Sequence, residues 1–64
     1  MLTDNEIDDV IEMLDAHFGD KLSVWESEFV RSVGTQWEEK RYLSDKQRIK
    51  LDQIAERCAR EYGR

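Results

Sequence analysis

Proline is missing from this sequence altogether, and cysteine and histidine occur once each. Without proline, nothing in the chain removes a backbone donor or forces a helix to break in its interior. The single thiol, Cys58, cannot close an internal disulfide. With His17 it supplies only half of a tetrahedral zinc set, so carboxylates or a second chain would have to complete one. This cysteine usage fits a reducing, cytosolic setting. No apolar run approaches the roughly eighteen residues of a membrane-spanning helix. Met1 leads into acidic residues rather than into a basic segment followed by an apolar one, so the sequence reads as neither exported nor membrane-spanning. No stretch alternates apolar and polar residues in the manner of a half-buried strand.

Basic residues are scarce in one part of the chain. Residues 1–39 carry eleven acids and only Lys21 and Arg31, whereas residues 40–64 carry eight bases against Asp45, Asp52, Glu56 and Glu61. A net charge of −5 argues against indiscriminate binding to nucleic acid, while a local basic face remains able to meet phosphate. The chain has 64 residues, 39% of them apolar and 39% charged. That composition supports one modest core and a single domain over 1–64 rather than wholesale disorder. A domain of this size buries only about 60% of the surface its unfolded chain exposes, so close packing or dimerisation is at a premium.

What the sequence does contain is one phrase used three times: LTDNE at 2–6, LSVWE at 22–26 and LSDKQ at 43–47. Each places leucine before a hydroxyl residue and Glu or Gln three positions after it, which is a capping box. The boxes predict helices over 4–17, 24–40 and 45–62. Ile7, Val10, Ile11, Leu14 and Phe18 share one face of the first, with Gly19 offering a left-handed residue to close it. Trp25, Phe29, Val30, Val33 and Trp37 form the broader face of the second, which Gly34 interrupts at a cost of about 1 kcal/mol relative to alanine. Leu51, Ile54, Ala55, Cys58 and Tyr62 line the third, and Gly63 stands at its expected stop. Short connectors make this an all-α, compact three-helix bundle. The similarity between the phrases ends with the caps, so they are helix punctuation rather than a repeat.

Two capping residues project into apolar arcs. Gln47 lies between Ile54 and Cys58 in helical angle, where an amide loses less hydration than a carboxylate would. Glu26 sits within the apolar arc of the second helix but in its first turn, where free N–H groups favour an anion. A capping carboxylate is the plain reading, and a buried functional acid the alternative.

No catalytic constellation stands out. His17 and Cys58 fall on different predicted helices and no oxyanion-hole motif accompanies them, so catalysis is not expected. Cys58 reads as a small core residue, and His17 as a partner for the C-terminal dipole of the first helix. Asp4, Glu6, Asp8, Asp9, Glu12 and Asp15 do not follow calcium-loop spacing. They read as the solvated face of the first helix or as a mimic of nucleic-acid charge. On the third helix Lys46, Lys50, Arg57, Arg60 and Arg64 fall within about 80° of one another by the helical period, with Lys40 and Arg41 extending the stripe. Such a stripe can track a phosphate backbone, mate with an acidic partner that includes a second copy of the chain, or form an ordinary charged surface with pairs such as Glu56 and Arg60. A nucleic-acid-binding motif and an exposed aromatic platform are both missing. Trp25 and Trp37 have core spacing, and either would be a binding anchor if partly exposed. Met13 points away from the main stripe.

The residues Trp25-Glu26, Phe29 and Ser32, followed by Leu43-Ser44, Lys46-Gln47, Leu51 and Ile54, write W-E-x-x-F-x-x-S and then L-S-x-K-Q-x-x-x-L-x-x-I. Over about residues 22–59 this resembles a small helical accessory module of tailed phages and prophages, whose members accompany genes of DNA replication or recombination, including the helicase associated with phage recombination. Gly34 departs from the pattern, which has an ordinary helix former there. The resemblance implies a non-catalytic protein without cofactor, working in the bacterial host cytoplasm and docking on a protein of DNA metabolism. The docking surface expected is Trp37, Lys40, Arg41, Lys46 and Lys50. The alternatives are direct nucleic-acid binding through Lys46, Lys50, Arg57, Arg60 and Arg64, or inhibition of a host enzyme through the acidic first helix.

Overall fold

The three leucine-hydroxyl phrases each open a helix. The computed structural model describes residues 2–62 and contains α1 (Asp4–His17), α2 (Val24–Lys40) and α3 (Asp45–Tyr62). At α1 the Glu6 N–H donates to the Thr3 hydroxyl while the Glu6 carboxylate accepts from the Thr3 N–H at 2.9 Å. Ser23 and Glu26 repeat the exchange at α2, and Ser44 and Gln47 repeat it at α3. Each box satisfies two backbone groups that the first turn leaves without partners. The preceding leucines anchor these starts, since Leu2 and Leu43 are buried and Leu22 packs against the core.

The apolar stripes meet as their spacing requires. Ile7 and Leu14 of α1, Val33 of α2, and Leu51 and Cys58 of α3 are essentially removed from solvent, with Leu43 closing one end. Val10, Ile11, Met13 and Phe29 pack around them in partly buried positions. Met13 therefore joins the edge of the core, although its helical angle set it apart. Each helix packs against the other two, giving an all-α three-helix bundle of about 31 × 21 × 18 Å. Among the described residues there is no strand, and no helix is long and apolar enough to cross a membrane.

Two helix ends differ from the expectation. Gly19 does not adopt positive φ; α1 closes through Phe18, whose N–H donates to the Leu14 carbonyl. Glycine is needed there for space, because a Cβ at position 19 would sit 2.9 Å from the Asp15 carbonyl oxygen. The left-handed residue is Arg41, with φ 53° and ψ 37°, at the end of α2. α2 runs unbroken through Gly34. Gly63, the expected stop of α3, lies outside the described residues.

Candidate interaction surface

The docking surface expected from the sequence divides in the structure. Trp37 is only 4% exposed and belongs to the core, so it is not available as an anchor. Its indole N–H donates to the Asp8 carboxylate at 2.7 Å. The Arg41 guanidinium stands 5.2 Å over the same ring and pairs with Asp8 at 3.0 Å. These contacts account for an arginine in the left-handed region, since the backbone strain there is balanced by a cation-π contact and an ion pair. The Trp37 N–H, followed by Arg41, holds the Asp8 carboxyl below its ordinary pKa. Arg41 is thus exposed but engaged, which removes two of the five expected residues from a free surface.

Trp25 takes the opposite course. Its helical angle put it in the core, yet it is 53% exposed. The three short helices close over Val30, Val33 and Trp37, leaving the flank of α2's apolar arc uncovered. Trp25 packs against Phe29 with ring centroids 6.4 Å apart, and the Lys50 ammonium of α3 lies 5.4 Å from its centroid. Lys46 is exposed one turn before Lys50, and Lys40 is exposed at the end of α2. Neither makes an ion pair among the described residues.

The basic stripe of α3 is correspondingly shorter than its spacing promised. Arg57 turns toward α2, where one guanidinium nitrogen reaches both oxygens of Glu26 at 2.6 and 2.7 Å, while the other nitrogen pairs with Glu61 at 3.1 Å. The Glu26 side chain is 10% exposed, and its carboxyl lies below the ordinary range because it accepts from the Ser23 N–H, with Arg57 adding to the effect. Glu26 is therefore the capping acid, and its buried charge is neutralised by the cation that the stripe loses. Arg60 lies 3.8 Å from Glu56 in an exposed pair, and Arg64 lies outside the described residues. Arg48, which the sequence reading left unassigned, donates to the carbonyls of Leu43 and Leu2 and to Asp4, fastening the start of α1 to α3.

Gln47 shows why the third box ends in an amide. Its Oε1 accepts from the Ser44 N–H and from the Gln36 amide, and its own Nε2 donates to Gln36 Oε1 at 3.1 Å. Gln36 also donates to the Tyr42 carbonyl. A glutamate could cap Ser44 but could not donate to Gln36.

The acids of α1 are partly committed. Asp4 pairs with Arg48, Asp8 with Arg41, and Glu6 with its own cap, whose Thr3 N–H depresses the Glu6 pKa. Asp9, Glu12 and Asp15 are exposed. Among the described residues no three His, Cys, Asp or Glu side chains converge to hold a metal ion. Cys58 is fully buried and burial raises its thiol pKa, so it stays protonated at neutral pH, and His17 is exposed on α1.

A cleft of about 820 Å³ between α1 and α2 was not foreseen. Its lining includes Ile11, Glu12 and Asp15 of α1 and Arg31, Gly34 and Glu38 of α2. No family model, curated protein or solved structure matches the chain.

Proposed function

We propose that the chain is a non-catalytic accessory protein of phage type that docks on a protein of DNA replication or recombination through the α2/α3 face. The observation that carries this reading is Trp25, half exposed beside Phe29 and capped by Lys50, with Lys46 one turn away. An aromatic side chain rimmed by lysines suits a partner surface that combines an apolar socket with acidic groups. The anchor is Trp25 in place of Trp37, and Lys40, Lys46 and Lys50 remain in the surface. The W-E-x-x-F and L-S-x-K-Q resemblance supplies the class of partner. Protein docking is preferred over phosphate binding because Arg57 and Arg60 sit beside glutamates, leaving Lys46 and Lys50 as a short cationic pair.

Crosslinking in bacterial cells from a photoreactive residue at position 28, followed by identification of the captured protein, tests this. A protein of DNA replication or recombination is expected, with capture weakened about tenfold by Trp25→Ala or Lys46→Glu. Capture that both variants leave intact would place the docking surface elsewhere.

A further inference from the structure

The fold gives no internal reason for a glycine at 34. α2 is continuous through it, its φ is negative, and a Cβ there would meet only Ile11 Cγ2, at an ordinary 3.6 Å. Glycine weakens a helix interior relative to alanine, so the missing side chain points to a close approach from outside. Gly34 lies in the α1/α2 cleft, whose walls differ in charge. The α1 side presents Glu12 and Asp15, and the α2 side presents Arg31 with Glu38 further along. Asp8 and Arg41, at one end, satisfy each other.

The outward face of α3 has the matching pattern. Ile49 is 47% exposed, half a helical turn away from the buried Leu51 and Ile54. By the 3.6-residue period Lys46 and Lys50 lie to one side of it, and Asp45 and Asp52 to the other. We infer that the cleft receives α3 of a second copy of this chain, with Ile49 seated over Gly34, Lys46 and Lys50 against Glu12 and Asp15, and Asp45 and Asp52 toward Arg31. The helix can lie along the cleft in two directions. One sets Lys46 and Lys50 against the acidic α1 wall and the other sets Asp45 and Asp52 against it, so the α1 wall fixes the direction.

The cleft is lined by α1, α2 and the segment between them, with no described residue of α3, and Ile49 is an exposed α3 residue, so the two surfaces are separate. The contact is therefore head-to-tail, and copies add until a ring closes or the chain of copies remains open. This inference does not depend on the proposed docking role. Lys46 and Lys50 serve both surfaces, whereas Trp25 belongs only to the first and Glu12, Asp15 and Gly34 only to the second.

Sedimentation velocity of the full chain at low salt tests it. The sedimentation coefficient is expected to rise with concentration and to fall back on adding salt. Ile49→Glu and Gly34→Leu should each weaken association about tenfold or more, with helicity retained by circular dichroism, while Trp25→Ala leaves it unchanged. A sharper test mixes two variants. Ile49→Glu keeps the cleft, and Gly34→Leu keeps the ridge, so each alone should associate weakly and the mixture should form a one-to-one pair that grows no further. A wild type that is monomeric at every concentration would overturn the inference. So would association indifferent to Ile49→Glu, failure of the two variants to pair, or a foreign protein occupying the cleft of a monomer.

Discussion

Gln47 stands at the meeting of a helix cap and an interhelical amide pair, and only an amide can serve both. Gln47→Glu keeps the acceptor for the Ser44 N–H but faces Gln36 Oε1 with a carboxylate oxygen, breaking the bond from Nε2. Urea denaturation should show a loss of about 1–2 kcal/mol, the range for a part-buried hydrogen bond left unmade. The Glu26–Arg57 pair is a second site where one side chain answers two demands. Arg57→Ala would leave a carboxylate that is 10% exposed holding only its cap. Because the guanidinium itself is partly solvated, the expected cost is about 1–2 kcal/mol, below that of a fully buried pair. A cost indistinguishable from that of Arg60→Ala, at the exposed pair with Glu56, would show that Glu26 needs no cation.

Within the elements, the two described glycines make opposite predictions. Gly19→Ala forces a Cβ against the Asp15 carbonyl oxygen at 2.9 Å, in backbone that cannot yield cheaply, and should destabilise the protein by about 1–3 kcal/mol. Gly34→Ala meets no obstacle and should stabilise α2 by about 1 kcal/mol. Thermal melts of the two variants beside the wild type check both signs. The same contrast marks what could be read from the sequence. Helix starts were legible because a capping box is complete within four residues, and the core stripes because 3.6-residue spacing is local. Contacts between helices were not. Glu26 and Arg57 are 31 residues apart, Asp8 and Trp37 are 29 apart, and Leu2 and Arg48 are 46 apart. Helical angle placed Arg57 in a basic stripe, but its long side chain leaves that stripe for Glu26. Trp25 and Trp37 share one spacing pattern, and their exposures differ because the neighbouring helices cover only one of them.

For the whole molecule, pH acts through carboxylates. Glu6, Asp8 and Glu26 all titrate below their ordinary values in the folded state. The unfolded chain therefore binds their protons first as pH falls, and the stability they contribute is fully present above the ordinary carboxylate range and lost through the lower, folded values. Stability should accordingly hold flat near neutrality and decline below about pH 4 to 5. Replacing Glu26 by Gln should flatten the decline, and an unchanged acid limb in that variant would assign the effect to Glu6 and Asp8.

The ties from α1 also limit what can be cut out of this protein. The motif over residues 22–59 invites excision as a two-helix peptide, but such a peptide would leave the Trp37 indole without Asp8 and strip Arg48 of Asp4 and the Leu2 carbonyl. It would also bare the face that Ile7 and Leu14 cover. Any graft of the tryptophan-lysine surface onto another scaffold must therefore bring a third helix with it, or supply an acceptor for that indole in some other way.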